Sequence, residues 1–343
     1  MKSCLFTFLL YLTLSFSSIA ADYTPAEIIE DRNPASTETA NQSRLEGWIL
    51  VTYLVDLDGK ASHIEVIAQS KQQDVYNKVK RHLEHLHFSP ATVAGKAVIS
   101  SQRLFYYTDK TLFDNPNNGI SQGFRKKYNR ANQHIGNKEF AKAKEALDDL
   151  QEINTKNLKE QALSAWLYSQ YYFSQSDWPA YAEQTKIAAY LKDYLPAKWA
   201  VTAIQNLMQW HVFKKEYTEA FAALAELKSI KGANVSEDVY QDMYQSLKKL
   251  LQEDTNIEIE HTLSDNTVWF HRMSRRKLSL TPLSGEIEAI ELRCKNNRLI
   301  LTLEEAKAVT LDNNDLACSL LVKGSEGSKV SLTESGDLYR FSS

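Results

Sequence analysis

Little cysteine, no excess of positive charge and, beyond the first twenty residues, no long apolar run distinguish this 343-residue chain. Each absence excludes something. With 40 basic against 43 acidic residues the net charge is -3, so there is no basic field to draw in nucleic acid. The few cysteines include no Cys-x-x-Cys pair, which argues against a dithiol redox centre. No stretch after residue 20 is long and apolar enough to span a bilayer. Also missing are a nucleophile elbow, a phosphate-binding loop, a paired-histidine helix motif and a dinucleotide fingerprint. An enzyme is not expected, and neither is a metal or an organic cofactor.

The first twenty residues stand apart. Lys2 precedes the apolar run "CLFTFLLYLTLSF", and Ser18 and Ala20 satisfy the small-x-small cleavage rule. A signal peptide over 1–20 is expected, and Cys4 leaves with it. Export places the remaining two cysteines, Cys294 and Cys318, where disulfides persist. Both sit at or inside apolar strand-like runs, "IELRC" and "LACSLL", so a bridge between them is expected.

The chain then shows three textures. In "EGWILVTYLVDLDGKASHIEVIAQS", Ile49, Val51, Tyr53 and Val55 alternate along a first strand, Asp58-Gly59 form a turn, and Ile64 and Val66 continue the apolar face. Val75, Val79, Leu83 and Leu86 then make one helical stripe, and "AVISSQRLFYY" forms a third strand. A crossover helix between strands two and three sets strand three beside strand one. Strand one becomes central, and residues 97–107 form an edge with unpaired backbone groups.

After a linker, "DNPNNGISQG", the chain is helical from about Phe124 to Glu253 and repeats. An acid followed by an aromatic recurs at Glu139-Phe140, Asp177-Trp178 and Glu216-Tyr217, the aromatics 38 and 39 residues apart. Ala143, Tyr181 and Ala220 occupy equivalent positions, as do Leu150, Ala188 and Leu227. Helix pairs at such a period predict an α-solenoid, the alternative being an irregular helical bundle. Its aromatics Tyr168, Tyr171, Tyr172 and Trp210 are either partner anchors or core between repeats. From Thr255 short strands alternate with Asn, Gly and Ser, which predicts a small sandwich-like or barrel-like all-β domain over 255–343.

The first of these textures resembles the C-terminal domain of the TonB family. The resemblance covers residues 25–108 and rests on Gly47, the alternating strand Ile49 to Val55, Asp56, Gly59, Ser70, Phe88-Ser89-Pro90-Ala91 and Gly95-Lys96-Ala97-Val98. The helical part, 122–253, looks like degenerate tetratricopeptide repeats. The expected whole is a multidomain α+β protein: a β-β-α-β module, an α-solenoid and an all-β domain. The resemblance implies a periplasmic adaptor linked to outer-membrane transport. Its partners would be receptor or other envelope protein segments, and a homodimer is a candidate assembly. It also implies that an extended peptide adds as a strand along Val98, Ile99, Ser100, Ser101, Gln102, Arg103 and Leu104. The alternative is a structural envelope protein whose β domain binds glycan or lipid, associating with the membrane.

Two polar clusters have bland explanations. His82, His85 and His87 lie close together but lack a fixed further ligand, so a solvated helix end is expected. Arg272, Arg275, Arg276 and Lys277 in "HRMSRRK" read as a solvated loop between strands.

Overall fold

The computed structural model describes residues 23–31, 46–70, 74–108, 119–153, 156–264 and 267–339. The chain is a mixed α+β protein with its strands gathered at the two ends and its helices between them. The signal-peptide expectation over 1–20 and most of the polar stretch before Glu46 lie outside the described residues.

Short strands open the chain: β1 (Tyr23–Thr24) and β2 (Glu27–Asp31). The sheet foreseen from sequence follows as β3 (Gly47–Val55), β4 (Ala61–Gln69) and, after helix α1 (Asp74–His85), β8 (Ser100–Thr108). β3 lies between β4 and β8 and runs antiparallel to both, the order the crossover rule predicts. The β3–β4 turn is fixed by Asp56, whose Oδ1 accepts from the N–H groups of Asp58 and Lys60 at 3.0 and 2.9 Å. Gly59 is required there twice over. Its φ is +75°, and a Cβ would stand 1.9 Å from the Phe88 carbonyl oxygen.

Between α1 and β8 the chain makes short strands that sequence reading took as a helix break. β5 (Leu86–Ser89) pairs with β2, while β6 (Ala91–Val93) pairs with β1 and with β7 (Lys96–Val98). The third strand is therefore not continuous from 97. Val98 belongs to β7, opposite Ala91, and Ile99 lies between the two strands.

Every residue of β3 is buried. Ile49, Val51, Tyr53 and Val55 face α1 and its Val75, Val79 and Leu83. The opposite face meets the helices, where Trp48 packs 5.7 Å from Tyr190 and joins the helical core. Cover on both faces accounts for the unbroken apolar run, a pattern usual in sheets sandwiched between layers.

The helices form three hairpins: α2 (Gln122–Gly136) with α3 (Phe140–Gln151), α4 (Leu158–Gln175) with α5 (Trp178–Tyr190), and α6 (Ala197–Phe213) with α7 (Tyr217–Glu226). The turns repeat the sequence period in backbone detail. Lys138, Ser176 and Lys215 are all left-handed. The next residues, Glu139, Asp177 and Glu216, donate their N–H groups to the carbonyls of His134, Tyr172 and His211. In the first and third turns the side chains join too, as His134–Glu139 at 2.6 Å and His211–Glu216 at 2.7 Å. Burial alone would raise the Glu216 carboxyl, but the bond to His211 and its charge bring it down to about 2. Helix α8 (Glu237–Glu253) follows.

The C-terminal strands are β9 (Ile257–Thr262), β10 (Val268–Arg272), β11 (Arg275–Ser284), β12 (Ile287–Arg293), β13 (Arg298–Leu301), β14 (Val309–Thr310), β15 (Ser319–Gly324) and β16 (Lys329–Leu338). They make two four-stranded sheets, ordered β10-β15-β12-β13 and β14-β11-β16-β9. Ile259, Leu280 and Leu332 of one sheet meet Trp269, Leu292 and Val322 of the other in a single cluster, so the strands form a sandwich. Cys294 and Cys318 are buried at its end with their sulfurs at disulfide distance.

Candidate functional site

The outward row of β8 decides what its edge can do. Ser101 donates its N–H away from β3, to the carbonyl of Cys294 at 3.0 Å. Alternation along an antiparallel strand then turns the N–H groups of Arg103, Phe105 and Tyr107 outward as well. Those three have no backbone partner among the described residues. Ser100 is fully buried, and Gln102 and Leu104 lie opposite Tyr53 and Val51, turned toward β3. Of the five β8 residues in the expected peptide edge, Ser100 to Leu104, the fold therefore leaves one outward N–H open, that of Arg103. The open row continues beyond them to Phe105 and Tyr107.

Ser101, Gln102 and Arg103 also form one wall of a cleft of about 440 Å³ where the three parts of the chain meet. Helix α7 supplies Thr218 and Phe221, helix α8 supplies Tyr240 and Tyr244, and the sandwich supplies Phe270, Arg272 and the Cys294–Cys318 end. Arg103 reaches Glu219 at 2.8 Å and stands 5.9 Å over the Phe270 ring, while Arg272 reaches the same carboxylate at 3.7 Å. Burial pushes the Glu219 carboxyl up, but the two guanidinium groups hold it below the usual carboxylate range.

A second charged group ties the N-terminal sheet to the sandwich behind the cleft. Arg293 is completely buried and donates from Nε to Glu291 at 3.0 Å and from Nη1 to the His63 carbonyl at 2.9 Å. Its Nη2 forms no hydrogen bond, the Glu65 carboxylate lying 3.9 Å away. His63 has a φ of 49° at the register shift between β3 and β4, which marks a bulge. A bulge re-aims what its strand presents. Here it offers the His63 carbonyl to Arg293 and the ring Nε2 to Arg298 at 2.9 Å. Burial first, then the Arg298 charge, lowers the His63 pKa. The ring is thus neutral near pH 7 and accepts at Nε2.

Deeper in the sandwich, Glu334 accepts from His271 at 2.6 Å and from the N–H groups of Ser274 and Arg275 at 2.7 and 2.8 Å. Burial works to lower His271, and Glu334 outweighs it, so the imidazole pKa is raised.

The basic stretch expected to be a wet loop is corrected by these contacts. Arg272 ends β10 and Arg275 starts β11, leaving only Met273 and Ser274 between strands. Arg275 is buried and donates to the carbonyls of Asp254, Gly336 and Leu251. Arg276 donates to the Asp312 and Asp315 carbonyls and lies 4.5 Å over Tyr339. Guanidinium groups can knit carbonyls together in this way because each carries five donors in a fixed fork.

His85 is bonded to the Arg81 carbonyl and His82 packs on Tyr106, while His87 lies on β5 opposite Glu30. Tyr171 is buried, and Tyr168 is half-buried with its hydroxyl on the Leu147 carbonyl, so both serve the helical core. Tyr172 stacks on Tyr168, and Trp210 is half-buried beside Tyr181. The rings exposed on the helices are instead Phe173, Trp178 and Phe213. Among the described residues no helix is long and apolar enough to cross a membrane.

Sequence reasoning missed Glu219, Arg293 and Tyr339. They come from three distant parts of the chain, and no local pattern links them. Compared with family models and with curated proteins, the sequence matches none.

Proposed function

We propose that this protein is an exported, non-enzymatic adaptor of the bacterial periplasm that binds segments of other envelope proteins. In this reading the β3–β4–β8 sheet with α1 is a TonB-like module, the helical hairpins are tetratricopeptide-like, and the partner is linked to outer-membrane transport. The peptide adds as a strand beside β8. What carries the proposal is the open outward row at Arg103, Phe105 and Tyr107, next to a sheet rigidly covered on both faces. An open row supplies backbone bonds, and a rigid sheet lowers the ordering cost of forming them. Because Ser101 is already engaged by Cys294, the added strand is placed at residues 103–107, C-terminal to most of the stretch expected from sequence.

The test uses extended peptides from the periplasmic N-terminal segments of outer-membrane receptors. Binding to the mature chain is expected, together with recovery of receptor barrels from envelope extract. Tyr107→Pro removes one outward donor at a half-exposed position, so the fold should survive while affinity falls by about tenfold. A folded Tyr107→Pro variant that binds as well as the parent chain would rule out strand addition here.

A further inference from the structure

The cleft between β8, α7–α8 and the sandwich has a chemistry of its own, whether or not β8 receives a strand. Its lining includes Arg103, Arg272, Arg293 and Lys295 and no carboxylate side chain. Arg103 and Arg272 share the single carboxylate of Glu219 behind the wall, and the Lys295 ammonium has no ion pair among the described residues. An excess of positive charge is thus held between low-dielectric walls, which focuses the field on the space they enclose.

Behind the lining, Nη2 of Arg293 faces the Glu65 carboxylate at 3.9 Å. One buried donor in the lining is without an acceptor in the protein, the hydroxyl of Tyr339, a residue 5% exposed. It approaches the Cys318 backbone without a hydrogen bond of ordinary geometry. A buried polar atom is rarely left so, because it has given up its bond to water and gained none in return. The same lining carries the rings of Phe221, Tyr240, Tyr244 and Phe270. A volume near 440 Å³ lies in the range of pockets that hold small ligands.

Cations, one orphan donor and aromatic rings in a single lining suit a ligand with an acceptor-only charged end and an apolar body. We propose that this cleft is a binding site for a carboxylate carried on an apolar or aromatic group. Arg103, Arg272 and Lys295 supply its counter-charge. The Tyr339 hydroxyl donates to it, and the ring wall covers its body. A phosphate dianion suits the site less well, because much of the guanidinium charge is already met by Glu219 and the walls are largely apolar.

Titration calorimetry on the mature chain tests this with three probes: N-acetylphenylalanine, its C-terminal amide, and 4-phenylbutyrate. Saturable binding of the acid is expected, with the amide weaker by about tenfold, as befits loss of a charge-assisted contact. Equal binding of 4-phenylbutyrate identifies a free small acid as the natural class of ligand. A clear preference for N-acetylphenylalanine identifies the end of a peptide chain. Arg272→Gln should weaken the acid by about tenfold and leave the amide unchanged.

Tyr339→Phe separates ligand from fold. Removing an unsatisfied buried hydroxyl should not lower the melting temperature, yet it should weaken the acid by about fivefold. Acid and amide binding alike, no saturation by about 10 mM, or full affinity in a folded Tyr339→Phe variant would each overturn the proposal.

Discussion

The helical hairpins and the C-terminal sandwich solve the same problem in opposite ways. The hairpins bury mostly alanine, leucine and tyrosine, with Glu160 and the His211–Glu216 pair as their few buried charged groups, and leave whole aromatic rings outside, with Phe213 74% exposed. The sandwich buries charge: Arg293 and Glu334 have no exposed surface, and His271 and Arg275 are almost as deep. Apolar packing is non-directional and forgiving, and a repeat needs only its neighbours. A buried ion pair is directional, and its partner suffers when it is broken. The hairpins repeat one turn at a regular period, while ion pairs of Arg103 and Arg272 with Glu219 join the N-terminal sheet and the sandwich to α7.

That contrast breaks most visibly at Glu334. Alanine there strands His271 and two backbone N–H groups, and a loss of about 3–5 kcal/mol is expected in chemical denaturation. Lys144→Ala on the hairpins, which removes an exposed pair with Asp148, should leave stability essentially unchanged. Similar losses at the two sites would remove the distinction.

Next comes the bridge. If Cys294 and Cys318 are joined in the mature protein, reduction should cost the sandwich about 3 kcal/mol on the chain-entropy account. Thiol counting on denatured, unreduced chain should find none free, and two free thiols would end the expectation.

Two histidines flank one indole and titrate in opposite senses, which sharpens the comparison further. His261 stacks on Trp269 at 4.7 Å, and burial lowers its pKa to about 4. The unfolded chain therefore binds the extra proton first, so stability falls as pH drops from about 6.5 towards 4, by about 3 kcal/mol. His271, raised in the fold by Glu334, adds stability that is complete below its unfolded pKa and is lost as pH rises through the folded value. His261→Asn should flatten the acid limb alone, read by Trp269 fluorescence during urea unfolding. An acid limb unaltered in that variant would reject the assignment.

The smallest effect is expected on the outer surface of the hairpins, where Phe213→Ser should alter stability by no more than about 0.5 kcal/mol. A larger loss would mean that the ring is covered by something in solution.

The parts legible in the sequence were those fixed by local pattern. Strict alternation and the Asp-Gly turn disclosed β3 and β4, and a helical stripe disclosed α1. The recurrence of Glu or Asp before an aromatic marked a turn that the structure repeats three times, left-handed residue included. The seating of β8 was hidden because the Cys294 carbonyl that closes Ser101 arrives from almost two hundred residues away. The bulge at His63 was hidden as well, since the side chain tolerates but does not announce a positive φ. "HRMSRRK" misled for a physical reason: composition records charge, whereas burial depends on whether carbonyls converge on it.

Amide exchange along β8, with and without receptor peptide, tests the central claim most directly. Strand addition predicts that the Arg103, Phe105 and Tyr107 amides become protected on binding while Ser101, already bonded to Cys294, changes little. Peptide that binds and leaves all three amides exchanging as before would contradict the account.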